Sequence, residues 1–406
     1  MTRDLITIGG GAAGFFGSIA HMESGGGTTL ILEKTANLLG KVKISGGGRC
    51  NVTHDCPDAR EFSKNYPRGA RSLIGPLHRW SSIDTIRWFE SHGIALKTEA
   101  DGRMFPVTDN SQTIIDCLTK AADSLGIEIR TRAGVEDIQV DEGEFILTLE
   151  QGEILRSRNI LIATGGTRLA AGARLAEQLG HPLAPAVPSL FTFKIKDPLI
   201  EGIPGVSVAN VAVRVEGTKL KSSGPLLITH WGVSGPGILR LSAWGARDLA
   251  NCDYCFDLHI NWLPGIDAQE RIMELRQTWG KRQLHPRTIH ETIPKRLWQR
   301  FLQSAEIADD QTWAQLTKTK ATTLANLLNR TVLAVDGKSM NKEEFVTCGG
   351  VKLKDINLTT MESKICPGLF FAGEVIDIDG ITGGFNFQNA WTSGHLAGAA
   401  IADRTP

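Results

Sequence analysis

Three glycines spaced as Gly9-x-Gly11-x-x-Gly14 follow the apolar run 4–8, and they are the first residues in the chain whose spacing points to chemistry. Where such a triplet joins a strand to a helix, Gly9 makes the turn, Gly11 lets the backbone approach a pyrophosphate, and Gly14 lets the helix pack against the sheet. Ala12 and Ala13 open that helix, whose first N–H groups lie at the positive end of its dipole. A second apolar run, 28–32, ends in Glu33, 19 residues past Gly14 (33 − 14). A carboxylate there accepts hydrogen bonds from ribose hydroxyls and repels a 2′-phosphate. The chemistry predicted is the grip on a dinucleotide.

Lys34, Lys41, Ser45, Gly46, Gly47, Arg49, Cys50 and Asn51 lie in the segment 34–54, which is too polar and glycine-rich for a plain crossover helix. It is read as a cation-lined loop around an anionic or heteroaromatic ligand, the alternative being a surface loop. Three later points repeat the pattern of backbone brought close to a ligand. Thr164-Gly165-Gly166 follows the apolar run 160–163, and Gly373-Glu374 follows 369–372, placing a second carboxylate at a strand end. Gly383-Gly384-Phe385-Asn386 reads as a glycine loop opening a helix. One site is thus assembled from opposite ends of the chain.

The cysteines give less. Cys50 and Cys56 are six apart and a proline follows the second, so a single cysteine packed beside the ligand is a plainer reading than a dithiol. Cys252-x-x-Cys255 lacks a second Cys or His pair at zinc spacing. Arg49, His230 and Asn386, in that order, are the candidates for groups near a substrate. His230 either faces it or is a packed, hydrogen-bonded ring.

The positioning elements come next. Ser82 and Ser111 are read as helix caps, and short strands are predicted at 127–131, 135–140, 145–150 and 154–162, an antiparallel meander before the last parallel strand. From about Ala184 prolines punctuate β-branched runs such as 206–215, marking an inserted unit. Within Thr229-His230-Trp231-Gly232-Val233-Ser234-Gly235-Pro236 the glycines do not fit dinucleotide spacing, and Ser234 is read as the cap of a helix beginning near Gly237. Apolar stripes make the following segment helical, with Lys295, Arg296, Arg300, Lys318 and Lys320 on solvated faces or steering an anionic substrate. The division expected is 1–188 and 344–406 for the nucleotide domain, and 189–343 for the insert, β-rich over 189–263 and helical over 264–335.

The 406 residues carry 44 basic and 44 acidic side chains, so no excess of basic charge points to nucleic acid. Only two tyrosines are present to stack on bases. Neither a leader peptide nor an apolar run of membrane-spanning length is visible. Seven cysteines, odd and sparse for this length, fit reduced thiols. The expectation is a cytoplasmic protein with a small-molecule substrate, bound to neither nucleic acid nor membrane.

The segments 9–14 and 32–54, with Gly102-Arg103-Met104-Phe105-Pro106, Ala163 to Gly166, Thr229 to Pro236 and the block from Thr347 onward, resemble the bacterial flavoprotein family that includes aminoacetone oxidase and a 3-dehydro-bile-acid reductase. The resemblance spans nearly the whole chain. It implies an α/β fold, a Rossmann-like FAD-binding domain of glutathione-reductase type with an inserted β-rich plus helical domain. It also implies FAD as cofactor, Arg49, Cys50 and Asn51 near the flavin, Val135 contacting adenine through its backbone, and the helix after Gly384 aimed at the flavin N1 and O2 edge. The activity implied is that of an FAD-dependent oxidoreductase. No second glycine triplet follows a strand, so NAD(P)H is expected only as a transient electron donor. The alternatives are an oxygen-dependent amine oxidase, an RNA-modifying or nucleic-acid-associated flavoprotein, against which the zero net charge and two tyrosines count, and a noncatalytic FAD-binding redox protein.

Overall fold

The structure, a computed structural model, describes residues 2–167, 171–339 and 346–404. The chain divides into two compact units, Met1–Val187 with Val346–Pro406, and Pro188–Phe345. The boundary expected between residues 343 and 344 lies outside the described residues.

In the first unit, strand β1 (Thr2–Ile8) is an interior strand of a nine-stranded sheet, with Leu5 and Ile6 wholly buried. It pairs in parallel with β2 (Thr29–Leu32) on one side and Ile154–Ile162 on the other. Leu369–Phe371 adds in parallel beyond Ile154–Ile162, and Glu128–Arg130 beyond β2. The register puts Ile8 beside Leu32 and Ile162, Leu32 beside Arg130, and Phe371 beside Ile162. Hence Gly9, Glu33, Ala163 and Ala372 leave one carboxyl edge of the sheet in a row, where parallel α/β sheets bind ligands. The antiparallel hairpin Val135–Asp141 and Glu144–Leu149 runs into Ile154–Ile162 as expected, but Glu128–Arg130, expected as the first strand of that meander, instead pairs in parallel with β2.

Helix α1 (Ala12–Glu23) buries Phe15, Phe16 and Ile19, with the Phe16 ring 4.8 Å from Trp88, 5.2 Å from Trp391 and 5.6 Å from Trp80. It meets the C-terminal helix Phe385–Ala402 through small residues: a Cβ on Gly17 would lie 3.1 Å from the Gly394 carbonyl. The segment 34–54 is more ordered than the sequence suggested. It contains α2 (Gly40–Gly48), broken at Ser45, Gly46 and Gly47, and then β3 (Thr53–His54).

The second unit contains a closed antiparallel barrel in the order Phe193–Ile195, Gly232–Ser234, Lys221–Ile228, Ser207–Val215, Cys255–Asn261 and Thr331–Lys338. The last strand corrects the expectation of helix to residue 335. Thr331, Leu333 and Val335 are buried while Val332 is 47% exposed, a two-residue period that belongs to a strand covered on one face. Helices Ala268–Thr278, Lys295–Ser304 and Lys318–Asn329 extend the barrel's core around Trp262, Trp298 and Trp313.

Three caps shift by one residue. Ser81, rather than Ser82, caps Ser82–Ser91 in a reciprocal pair with Asp84, while Ser82 is buried and bonds the Cys56 carbonyl. Asn110, rather than Ser111, caps Ser111–Ser124. Gly235 precedes the helix Pro236–Trp244, and Ser234 ends a barrel strand. Among the described residues no helix is long and apolar enough to cross a membrane, and no group of three His, Cys, Asp or Glu could hold a metal ion.

Candidate nucleotide site

The turn between β1 and α1 has the shape its glycines predict. Gly9 takes φ +114°, and a Cβ on Gly14 would strike the Gly9 carbonyl. Gly11 is extended, at φ −95° and ψ −171°, and a Cβ there would meet nothing within 4 Å. Helix α1 has neither a side-chain cap nor an acid in its first turn. The N–H groups of Ala12, Ala13 and Gly14 therefore remain available to an anion. The Glu33 carboxylate accepts from Gly10 N at 2.9 Å, and from Thr35 N and Oγ1 at 2.8 Å each. Backbone bonds from Arg132 N to Thr35 O and from Ala133 N to Glu33 O bring the chain before buried Val135 alongside. Lys34 points elsewhere: its exposed ammonium pairs with Glu150 at 2.7 Å.

A second group of residues meets at the end of the sheet. Glu374, in the turn Gly373–Val375, accepts from Thr347 N at 2.7 Å and pairs with Lys41 of α2. A Cβ on Gly166 would lie 2.8 Å from the same carboxylate, and one on Gly373 would lie 2.8 Å from the Ala13 Cβ. Gly165 opens onto free space at φ +79°. Two buried polar atoms here have no hydrogen-bond partner among the described residues, Thr164 Oγ1 and Asn389 Oδ1. Open space at Gly11, free helix N–H groups and two orphaned oxygens together fit a polar, phosphate-bearing cofactor of the kind FAD represents.

The third group holds the N-terminus of Phe385–Ala402. With its amide oriented to satisfy both ends, Asn51 accepts from Gly384 N at 2.9 Å and donates to Thr53 O at 3.0 Å and Met104 O at 3.2 Å. The Asn386 side chain is bonded both ways to Gly380, at 2.8 Å each. It acts as a clamp on the preceding loop. The same loop is fixed by the Tyr66 hydroxyl donating to Phe385 O at 2.6 Å, by His54 stacked 4.8 Å from Phe385, and by the buried ion pair Arg68–Asp379. The N–H groups of Phe385, Asn386 and Phe387 have no capping side chain. Eighteen residues of aligned peptide dipole thus present a positive end.

Arg49 lies over the Phe105 ring at 4.0 Å and pairs with Glu99 at 2.6 Å, a site beside Gly46 but already bonded. Cys50 is wholly buried, and burial pushes its thiol up to about 12, so it stays protonated. Gly47 has open space around it. His230 belongs to the other compact unit, at the turn between Lys221–Ile228 and Gly232–Ser234. Cys252 and Cys255 are free and exposed. Sequence reasoning missed Tyr66, Arg68, Asp379 and Asn389. The first three are polar residues whose partners lie more than 300 positions along the chain, and Asn389 is singled out only by its buried, unpartnered oxygen.

Three similarities frame this geometry. The chain is 32% identical over 400 residues, 96% of either chain, to a ribosomal RNA dihydrouridine synthase of Escherichia coli K12. It is 27% identical over 410 residues, 98% of either chain, to a 3-dehydro-bile acid delta(4,6)-reductase of Clostridium scindens. In fold it resembles a 3-ketosteroid-delta4-(5alpha)-dehydrogenase from Rhodococcus jostii RHA1, with TM-score 0.53 and 15% identity over 99% of this chain and 97% of that one. The HI0933-like protein Rossmann domain matches residues 3–400, and with the carboxyl-edge site and the 32% identical relative this shows that the chain belongs to that family of FAD-dependent oxidoreductases.

Proposed function

We propose that the protein is an NAD(P)H-driven reductase that adds hydrogen across a C=C bond conjugated to a carbonyl, and that a uracil ring in RNA is its substrate. The names of the two end-to-end relatives support this reading through their chemistry. Dihydrouridine is uridine with two hydrogens added across the alkene beside a ring carbonyl, and a delta(4,6) 3-dehydro-bile acid carries alkenes conjugated to its 3-keto group. In both, the carbonyl makes the far alkene carbon electrophilic toward hydride.

Bound FAD would supply the two-electron chemistry, taking hydride from a nicotinamide and returning it to the substrate. The chain's own part is binding and electrostatics. Ala12 to Gly14 offer N–H donors to the phosphates, Glu33 and Glu374 offer carboxylates to hydroxyls, and Thr164 and Asn389 offer orphaned oxygens. The observation that carries the reading is the uncapped N-terminus at Phe385, held in place by Asn51, Tyr66 and Asn386. A fixed positive dipole end stabilises negative charge developing nearby without rearranging. The hairpin 135–149 preceding the last long parallel strand supports a glutathione-reductase type for this unit.

Anaerobic mixing with NADH and with NADPH tests the donor by bleaching of the flavin band. Reoxidation is then followed with a ribosomal RNA transcript and with a 3-keto-4-ene steroid. Reoxidation by the transcript, with a two-hydrogen mass gain on one uridine, is the expected result. Reoxidation by the steroid alone would move the substrate to a small enone, as the 27% identical relative favours. Hydrogen peroxide formed from an amine, with neither acceptor turning over, would replace the reductase by an oxidase.

A further inference from the structure

Whole-chain neutrality conceals a strongly basic lobe. Residues 271–330 hold eleven Lys and Arg against five Asp and Glu, 11 − 5 = +6, in a chain whose total is zero. Several of these cations are engaged in structure. Arg271 pairs with Glu274 at 2.6 Å, Arg296 donates to Gly202 O at 3.1 Å, and Arg300 donates to Glu201 O at 2.7 Å. Lys320 donates to Glu306 O.

Lys281, Arg282 and Arg287 are different. All three are exposed, and among the described residues none has a carboxylate within ion-pair distance. The two arginines lie beside a single ring: the Arg282 guanidinium carbon is 5.5 Å and that of Arg287 5.9 Å from the Trp279 centroid, with Lys281 next to Arg282 in the chain. Trp279 is itself half-buried against Trp313, 6.3 Å away, so the ring does not swing free. The backbone beneath is tied down by Arg282 N to Trp279 O at 2.7 Å, Trp313 N to Arg282 O at 3.0 Å, Ala314 N to Gly280 O at 2.9 Å and Leu284 N to Gln311 O at 3.1 Å.

We propose that Lys281 together with Arg282 and Arg287, the two guanidinium groups beside Trp279, forms a docking surface for the phosphate backbone of RNA. The proposal rests on the RNA reading above and deepens it. Cations without a carboxylate partner keep their charge for a phosphate, and the phosphates they neutralise release their counterions. Guanidinium groups held beside an indole add planar surfaces on which unpaired bases stack, a feature an acidic peptide does not use. Because the backbone is already ordered, binding pays little to freeze the loop.

The test uses the full-length, flavin-loaded protein and a fluorescein-labelled single-stranded oligouridylate, followed by anisotropy over a range of KCl. The variant is Lys281→Glu with Arg282→Glu and Arg287→Glu. The control is Lys196→Glu with Lys219→Glu and Lys221→Glu, which makes the same charge change at other exposed positions of the same unit. The expected result is a 10- to 100-fold weaker affinity for the first variant at about 0.1 M salt, with the log–log salt slope shallower by roughly 2, at about 0.7 for each phosphate no longer neutralised. The control should bind like the parent. Equal weakening in both variants, unchanged binding in the first, or displacement of the RNA by polyglutamate as readily as by unlabelled RNA, would overturn the proposal. Flavin bleaching by nicotinamide and turnover of the steroid do not use this surface, so the reductase reading stands or falls separately.

Discussion

Replacing Gly11 by alanine should separate holding the nucleotide from holding the fold. The backbone at Gly11 is extended, which alanine adopts without strain, and the new methyl would meet nothing within 4 Å. Stability without cofactor should be unchanged, or higher by about 0.4–1 kcal/mol through the less flexible unfolded chain. The methyl nevertheless stands in the approach to the free N–H groups of α1, where the phosphates would come in. Losing two hydrogen bonds to a charged group, at about 1.5–3 kcal/mol each, weakens FAD binding by about 3–6 kcal/mol, or roughly 10²- to 10⁴-fold. Gly14→Ala is the contrasting change. Its methyl collides with the Gly9 carbonyl and lies 3.2 Å from Thr7 Cγ2, so the cofactor-free fold itself should lose about 1–3 kcal/mol or more. Calorimetry of the cofactor-free proteins and quenching of flavin fluorescence on titration give the two quantities independently. Parental FAD affinity in Gly11→Ala, or a loss of stability above about 1 kcal/mol in that variant, would refute the reasoning.

Asp379→Asn leaves Arg68 without the carboxylate of a wholly buried residue and should cost about 3–5 kcal/mol in urea unfolding; a loss below about 1 kcal/mol would show that the pair is not what fixes the loop. Burial lowers His395, stacked 3.7 Å from Trp80, to about 4, so the folded protein keeps it neutral while the unfolded chain protonates near 6.5. Its contribution is present above pH 6.5 and is lost as pH falls toward 4, on the order of 3 kcal/mol. His395→Gln should flatten that acid limb, and an unaltered limb would assign it to other groups. Iodoacetamide at pH 8 should label exposed Cys252 and Cys255 and spare Cys50, whose thiol is protonated and enclosed; labelling of Cys50 in the folded protein would contradict its burial.

Local spacing carried much of this architecture. The glycine triplet, the acid after β2 and the strands before Thr164 and Gly373 were legible because strand, turn and helix each leave a short-range signature. Partnerships across the chain were not. Arg49 looks like a free cation in sequence, yet its neighbours Glu99 and Phe105 come from a hairpin more than 45 residues away. Asn386 looks equally available until Gly380 folds back onto it. Arg68 and Asp379 are 311 positions apart, and neither residue advertises the other. The strand Thr331–Lys338 was within reach, since its β-branched alternation is present in the letters, but the helical stripe before it masked the change of period. The charge of 271–330 was likewise countable, and only the whole-chain total hid it.

The chain leaves the nucleotide unit after Val187 and returns at Val346, so the partners of its early elements are synthesised late. Strand Ile154–Ile162 waits for Leu369–Phe371, and the apolar face of α1 waits for Phe385–Ala402. From residue 162 to 385 is 223 residues, roughly 10–45 s of translation at about 5–20 residues per second. During that interval the contiguous segment Pro188–Phe345 is free to collapse, while a sheet edge and the small-residue seam of α1 at Ala13, Gly17 and Ala20, which Gly394 and Gly398 cover in the finished fold, stand open on the ribosome. A nascent chain of this design calls on a holding chaperone at its N-terminal third, and a stop codon soon after residue 345 yields a folded lobe attached to an open, aggregation-prone sheet.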